Sequence, residues 1–197
     1  MYCTSFKIED FHKDTISFFK NKNVAVTGGT GFIGSHLVEQ LIHLKANPIV
    51  LSKSLNKNFL LSCEEEIEII EVDLFDKNAT FKALKKADIV LHLSASVAGI
   101  EYNSKHPATI FKDNLEMFMN TIDAAAKSDN VERFLVTSSA CVYPRHCSIP
   151  TKEEEGTVGD PMYNYADITK SKEILNFEPK YSLEDGLKEL VDIKLGK

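Results

Sequence analysis

Val24-Ala-Val-Thr-Gly-Gly-Thr-Gly-Phe-Ile-Gly-Ser-His-Leu37 decides how the rest of this chain is read. It opens as a short apolar strand, Val24 to Thr27, turns through glycines, and enters an amphipathic helix marked by Phe32, Ile33, Leu37, Leu41 and Leu44. Gly28, Gly31 and Gly34 repeat every third residue, and each has a physical task if the turn holds a dinucleotide. Gly28 lets the chain leave the strand sharply, Gly31 clears the backbone for a pyrophosphate, and Gly34 brings the new helix close to the strand. The helix N-terminus adds free N–H groups and a partial positive charge. A glycine triplet is a weak signal alone; the strand before it and the helix after it supply the required context.

Outward from this stretch, apolar runs alternate with helical patterns. Strands are expected at Val24–Thr27, Pro48–Leu51, Ile67–Val72, Asp88–Leu93 and Arg133–Thr137, with helices near 32–45, 77–86 and 107–127. Nearly all-apolar strands separated by helices predict a parallel sheet covered on both faces. The expected fold is α/β: a Rossmann-type doubly wound parallel sheet, with its ligand at the carboxyl ends of the strands. Residues 1–22 interleave Phe6, Ile8, Phe11, Ile16, Phe18 and Phe19 with charges and read as an N-terminal arm packed on the main domain.

Composition narrows the function classes. A chain of 197 residues is about one domain long, and 43% hydrophobic with 26% charged residues is ordinary for a globular protein. Net charge is −6 without a Lys/Arg block, so neither nucleic acid nor an anionic membrane surface is an expected partner. No apolar run is long enough to span a bilayer, and the charged N-terminus is unlike a signal peptide. Cys3, Cys63, Cys141 and Cys147 are scattered, which disfavours a metal site or a disulfide framework and points to a reducing compartment, the cytoplasm. The second strand ends Leu51-Ser52-Lys53-Ser54, where an NAD-selective site would place Asp or Glu on the ribose 2′-hydroxyl. A cation between hydroxyls fits a 2′-phosphate, hence NADP; a solvated loop lysine is the other reading.

Several stretches, in order, resemble the extended short-chain dehydrogenases/reductases, the NAD-dependent epimerases and dehydratases of nucleotide sugars. They are Thr27-Gly-Gly-Thr-Gly-Phe-Ile-Gly34, Val72-Asp-Leu74, Leu91-His-Leu-Ser-Ala95, Asn114 and Thr137-Ser-Ser-Ala-Cys-Val-Tyr-Pro144. The resemblance runs continuously over about residues 23–150 and implies NAD or NADP as cofactor and a nucleotide sugar as substrate. It implies that Gly28, Thr30, Gly31, Phe32, Ile33 and Gly34 surround the cofactor, with Ser52 and Lys53 at its ribose. It places Asp73, beside Leu74, at the adenine amino group, Leu93, Ser94 and Ala95 along the nicotinamide ribose, and Asn114 as a brace for the active-site backbone. A turn or helix cap is the alternative for Asp73, and His92, in an apolar strand, reads as a satisfied core histidine. Ser139 matches the hydroxyl that bonds the substrate oxygen being oxidised, where a donor stabilises developing charge. The wording Ser139-Ala-Cys-Val-Tyr-Pro144 and the stretch Val97-Ala-Gly-Ile-Glu-Tyr-Asn103, followed by Pro107, are most similar to the GDP-mannose 3,5-epimerase and GDP-fucose synthase subgroup. That likeness makes Cys141 an acid/base residue, since a thiol pKa can be moved toward neutrality; a small buried core residue is the alternative.

The match then breaks. The family uses Tyr-x-x-x-Lys, whose members lie about 40° apart on one helix face. Here Tyr165 and Lys170 are five apart, about 140° on an ideal helix, and Tyr163 is about 10 Å of rise from Lys170. The stretch from Ala166 to Leu187 resembles the family's C-terminal tail, so two ends of an epimerase are joined near residues 165/166 with the middle absent. The expected organisation is an arm (1–22), an NAD(P)-binding Rossmann domain (23–164) and a helical C-terminal remnant (165–197), a truncated version of the fold. Tyr165 and Lys170 are thus candidates with an impaired pairing, beside a cofactor half-site that is intact. The fifth strand is expected at an open sheet edge with apolar flanks, which invites self-association, in the simplest case a homodimer.

Overall fold

A computed structural model describes residues 8–54, 60, 67–139, 142–143, 146, 148–152 and 166–188. The chain divides into two compact units, Met1–Thr137 and Ser138–Lys197. The first unit carries a five-stranded parallel sheet: β1 (Asn23–Thr27), β2 (Asn47–Ser52), β3 (Glu68–Glu71), β4 (Ile89–His92) and β5 (Arg133–Val136). Their spatial order is β3-β2-β1-β4-β5, the doubly wound arrangement expected from the alternation of strands and helices. The order reverses between β1 and β4, so the crevice at their carboxyl ends is the topological switch point.

Both faces of the sheet are covered, and successive strand residues alternate between them. Val24, Val26, Val50, Ile89 and Leu91 pack with Val38 and Leu41 of α2 (Phe32–His43). Ala25, Ile49, Leu51 and Val90 face the other way, onto Ala83 and Leu84 of α3 (Lys77–Leu84) and Ala124 and Ala125 of α5 (Pro107–Ala126). The small Ala25 sits opposite Ile49 on one side and Val90 on the other. Asp76 caps α3, its carboxylate accepting the Asn78 and Ala79 N–H groups. Ahead of the sheet, α1 (Lys13–Phe19) sends Phe19 into the α2-side core, and Lys22 pairs with Glu132 at 2.8 Å.

Two findings go beyond the sequence pattern. A short helix, α4 (Ile100–Lys105), begins within the 97–103 stretch; it lacks apolar periodicity and is supported by a Glu101–Lys105 pair at 2.6 Å. In α5, the buried residues are Thr121, Ala124 and Ala125 near its C-terminal end, whereas Phe111, Leu115 and Met119 form an exposed i, i+4, i+8 stripe. At the margin of the sheet, Leu135 and Val136 of β5 are exposed, as the open-edge reading requires.

The second unit is described in pieces. Thr151 and Ala166 form an isolated parallel bridge, and α6 (Thr169–Leu175) ends in the left-handed Asn176. A further helical stretch at 183–188 begins with a capping box: Ser182 Oγ accepts the Asp185 N–H while the Asp185 carboxylate accepts the Ser182 N–H.

Within the core, His92 is only 3% exposed, and burial pushes its imidazole down to about 4. The unfolded chain therefore takes up a proton below about pH 6.5 that the folded chain refuses until about pH 4. Stability is complete above pH 6.5 and falls as the pH drops through that window, by an amount on the order of 3 kcal/mol for this group alone. Chemical unfolding at a series of pH values checks this: replacing His92 by Phe should flatten the slope between pH 6.5 and 4.

Candidate dinucleotide site

The site is built where β1 ends. Gly28 has φ +70°, a conformation side chains resist, and a Cβ there would stand 3.1 Å from the Ser94 nitrogen. At position 34 a Cβ would lie 2.2 Å from the Gly28 carbonyl oxygen, so only glycine lets α2 start this close to the strand. Gly31 is the N-cap of α2 and has no side chain to offer the first-turn N–H groups; it also accepts the Ser35 N–H. Those first-turn groups have no intrahelical acceptor and face an anion-favouring dipole end. Phe32 and Ile33 are exposed at this helix start.

A hydroxyl relay joins this turn to β2. Ser52 donates to the Ser54 carbonyl at 2.7 Å, which leaves Thr30 as the donor in the Thr30–Ser52 bond of 3.0 Å. Lys53, next in sequence, pairs with Asp73 at 3.1 Å and lies 5.8 Å from the Phe75 ring centroid. Asp73 also accepts the Phe75 N–H at 3.1 Å. That N–H first, and the Lys53 ammonium second, hold the Asp73 carboxyl below its ordinary range. Asp73 thus closes a turn, as the capping alternative held, and at the same time tethers the candidate ribose lysine.

The opposite wall is the chain after β4. Thr27 Oγ1 accepts the N–H groups of Leu93 and Ser94, both at 3.1 Å. Asn114 reaches from α5 to the backbone of Ser96, accepting its N–H at 2.6 Å and donating to its carbonyl at 3.1 Å. Asn120, one and two-thirds turns further along α5, donates to the carbonyls of Leu74 (2.9 Å) and Phe75 (3.2 Å). Sequence reasoning passed over Thr27 and Asn120; paired Asn residues inside an otherwise apolar-patterned helix were the available signal for the latter.

Gly28, Thr30, Gly31, Phe32, Ile33, Gly34, Ser52, Lys53, Asp73, Leu74, Leu93, Ser94, Ala95 and Asn114 all belong to the first unit. Of the catalytic candidates, Cys141 and Tyr165 lie outside the described residues. Ser139, whose carbonyl accepts the Val142 N–H, and Lys170 belong to the second unit. The helix carrying Lys170 starts at Thr169, and Ala166 to Ile168 precede it without helical structure. Ala166 to Lys170 are therefore not one helical run. No cluster of metal-ligating side chains occurs among the described residues, and no described helix is long and apolar enough to cross a membrane.

A family model described as NAD dependent epimerase/dehydratase family matches residues 24–178. The chain belongs to that family. An uncharacterised protein of Methanocaldococcus jannaschii is 31% identical over 172 residues, 79% of this chain and 51% of its own length. GDP-mannose 3,5-epimerase of Arabidopsis thaliana is 25% identical over 154 residues, 74% of this chain and 40% of its own. Among solved structures, UDP-N-acetylglucosamine 4-epimerase of Methanobrevibacter ruminantium, in complex with UDP-N-acetylmuramic acid, aligns with a TM-score of 0.63 at 31% identity, covering 72% of this chain and 46% of that one. The chain spans about half the length of the curated relatives it matches, and the family match continues past residue 166.

The cradle generates a direct test. Gly34→Ala should cost about 2 to 3 kcal/mol through overpacking against the Gly28 carbonyl, read as a lowered unfolding midpoint in urea.

Proposed function

We propose that this chain is an NAD(P)-binding protein of the nucleotide-sugar epimerase/dehydratase type, whose hydride removal and return at a sugar carbon is weak or absent. The observation that carries the binding half is the glycine turn at the β1/β4 switch point, where added Cβ atoms at positions 28 and 34 would fill the space next to the backbone. The cofactor's chemistry, when bound, is the acceptance and donation of hydride at the nicotinamide. The chain's part is to hold it: first-turn N–H groups of α2 for the pyrophosphate, Asp73 and Leu74 toward the adenine, and Leu93, Ser94 and Ala95 along the nicotinamide ribose. Family membership and the nucleotide-sugar ligand of the Methanobrevibacter enzyme support a nucleotide sugar as the substrate class.

Lys53 supports NADP over NAD, because Thr30 spends its proton on Ser52 and Ser52 spends its own on the Ser54 carbonyl. Its ammonium keeps donors beyond the Asp73 pair, since –NH₃⁺ carries three. Calorimetric titration should give tighter NADP binding, and Lys53→Ala should lower NADP affinity roughly tenfold while sparing NAD. Comparable affinities for the two cofactors in the unaltered protein would remove this role from Lys53.

Weak turnover rests on the start of α6 at Thr169, after non-helical Ala166 to Ile168. The Tyr165–Lys170 spacing departs from the family's Tyr-x-x-x-Lys, the pairing that supplies its base, which supports weak turnover. The match through residue 178, in a chain that spans about half the length of its relatives, supports an internal segment having been lost near 165/166. Steady-state assays with UDP- and GDP-sugars should show turnover far below the range of about 1 to 1,000 per second typical of enzymes; rates within it overturn this reading. Cysteine usage supports a cytoplasmic setting.

The stripe Phe111, Leu115, Met119 supports a homodimer through α5, because a straight i, i+4 ridge can pack on an antiparallel copy of itself. Beside it, Lys112 and Glu116 present opposite charges that a two-fold axis would bring face to face. Light scattering should report a dimer that Leu115→Glu converts to monomer.

A further inference from the structure

β4 reads Ile89-Val-Leu-His92, and all four residues are buried. Three are apolar, as a doubly covered strand demands, and the fourth is an imidazole that a Leu or Phe could replace on packing grounds. Burying a polar ring costs free energy unless its nitrogens are used. One of them, Nδ1, meets the Thr27 hydroxyl. The N–H groups of Leu93 and Ser94 can only donate: that of Ser94 reaches Thr27 Oγ1 at 3.1 Å, and that of Leu93 is shared between Thr27 Oγ1 at 3.1 Å and the Thr27 carbonyl at 3.2 Å. A hydroxyl has two acceptor positions and one proton. With N–H donors on its acceptor side, the Thr27 hydroxyl is placed to give its proton to His92 Nδ1, 3.0 Å away. In that arrangement Nδ1 carries no hydrogen, and the ring is the neutral Nε2–H tautomer.

The ring is also fixed in place. Phe134 of β5 stacks on it with centroids 6.3 Å apart, and Phe118 of α5 meets it edge-on at 6.0 Å. The His92 carbonyl accepts both the N–H and the hydroxyl of Thr137 after β5. What this arrangement holds is the backbone at 93–94, the wall that the glycine at 28 approaches most closely.

We propose that His92 is a positioning residue for the dinucleotide: by accepting the Thr27 proton it commits both Thr27 acceptor positions to Leu93 and Ser94, and so fixes the wall along the nicotinamide ribose. This rests on the cofactor reading given above. With an apolar residue at 92, the hydroxyl would turn its proton toward another acceptor and its lone pairs away from the Ser94 N–H, while the Leu93 N–H keeps the Thr27 carbonyl. Burial keeps the imidazole unprotonated at neutral pH, which the role requires.

Two independent measurements on the full chain test it. Nitrogen-15 NMR at pH 7 should place His92 in the neutral tautomer with Nδ1 bare; a protonated Nδ1 overturns the proposal. In NAD and NADP titrations, His92→Phe keeps the ring bulk but loses the acceptor, and should weaken binding about five- to tenfold, the scale of one hydrogen bond. His92→Asn, whose side-chain oxygen can take the place of Nδ1, should restore most of it. Thr27→Val should match His92→Phe, and the double variant should lose no more than either single one. Unchanged affinity in His92→Phe, or additive losses, overturns the proposal. If the unaltered protein binds neither dinucleotide, the cofactor reading falls and takes the positioning role with it. The tautomer and the Ser94 amide shift in Thr27→Val then still decide whether the linkage exists.

Discussion

Between the end of β1 and the start of α2 the backbone folds back so tightly that position 34 has no room for a side chain. A methyl group there would overlap the Gly28 carbonyl at 2.2 Å, and the strain would be borne by main-chain atoms with nowhere to go. Because that approach is allowed, α2 can lie on β1 and cover the Val24, Val26, Val50 face. The same approach leaves the first-turn N–H groups of α2 open above the switch point. Packing of the central strand and the capacity to receive an anion are thus two results of one steric condition.

The fold was legible because it rests on patterns that a linear text records. Strands such as Val24-Ala-Val and Pro48-Ile-Val-Leu51 are apolar at every position, which only a sheet covered on both sides accommodates. Strand and helix limits moved by a residue or two, as at Asn23 and Asn47, which pair at the start of the β1–β2 ladder despite being polar. The short α4 was not legible, since it carries no apolar period and its Glu101–Lys105 pair is exposed to solvent.

The site was legible in its glycines and only partly in its side chains. Which residues line the turn follows from spacing, but which atoms spend their protons on one another does not. Ser52 and Lys53 read alike as ribose ligands; in space Ser52 is committed to Thr30 and Ser54, while Lys53 meets Asp73, twenty residues away. His92 read as core filling, which it is, yet its use depends on Thr27, sixty-five residues earlier and one strand over. Long-range pairing of this kind leaves no local trace. The family's Tyr-x-x-x-Lys spacing, by contrast, is local, and its irregularity here was visible from residue numbers alone.

Helix α5 bonds to two loops that belong to different strands. Asn114 grips the backbone at Ser96 beyond β4, and Asn120 grips Leu74 and Phe75 beyond β3. At about 1.5 Å of rise per residue, six residues set those grips about 9 Å apart along a rigid axis. The helix is therefore a ruler, and its pitch, more than the loops themselves, sets the gauge between the chain after β3 and the chain after β4. A single inserted or deleted residue between Asn114 and Asn120 would leave the sheet as it is and rotate one grip by about 100° away from its loop.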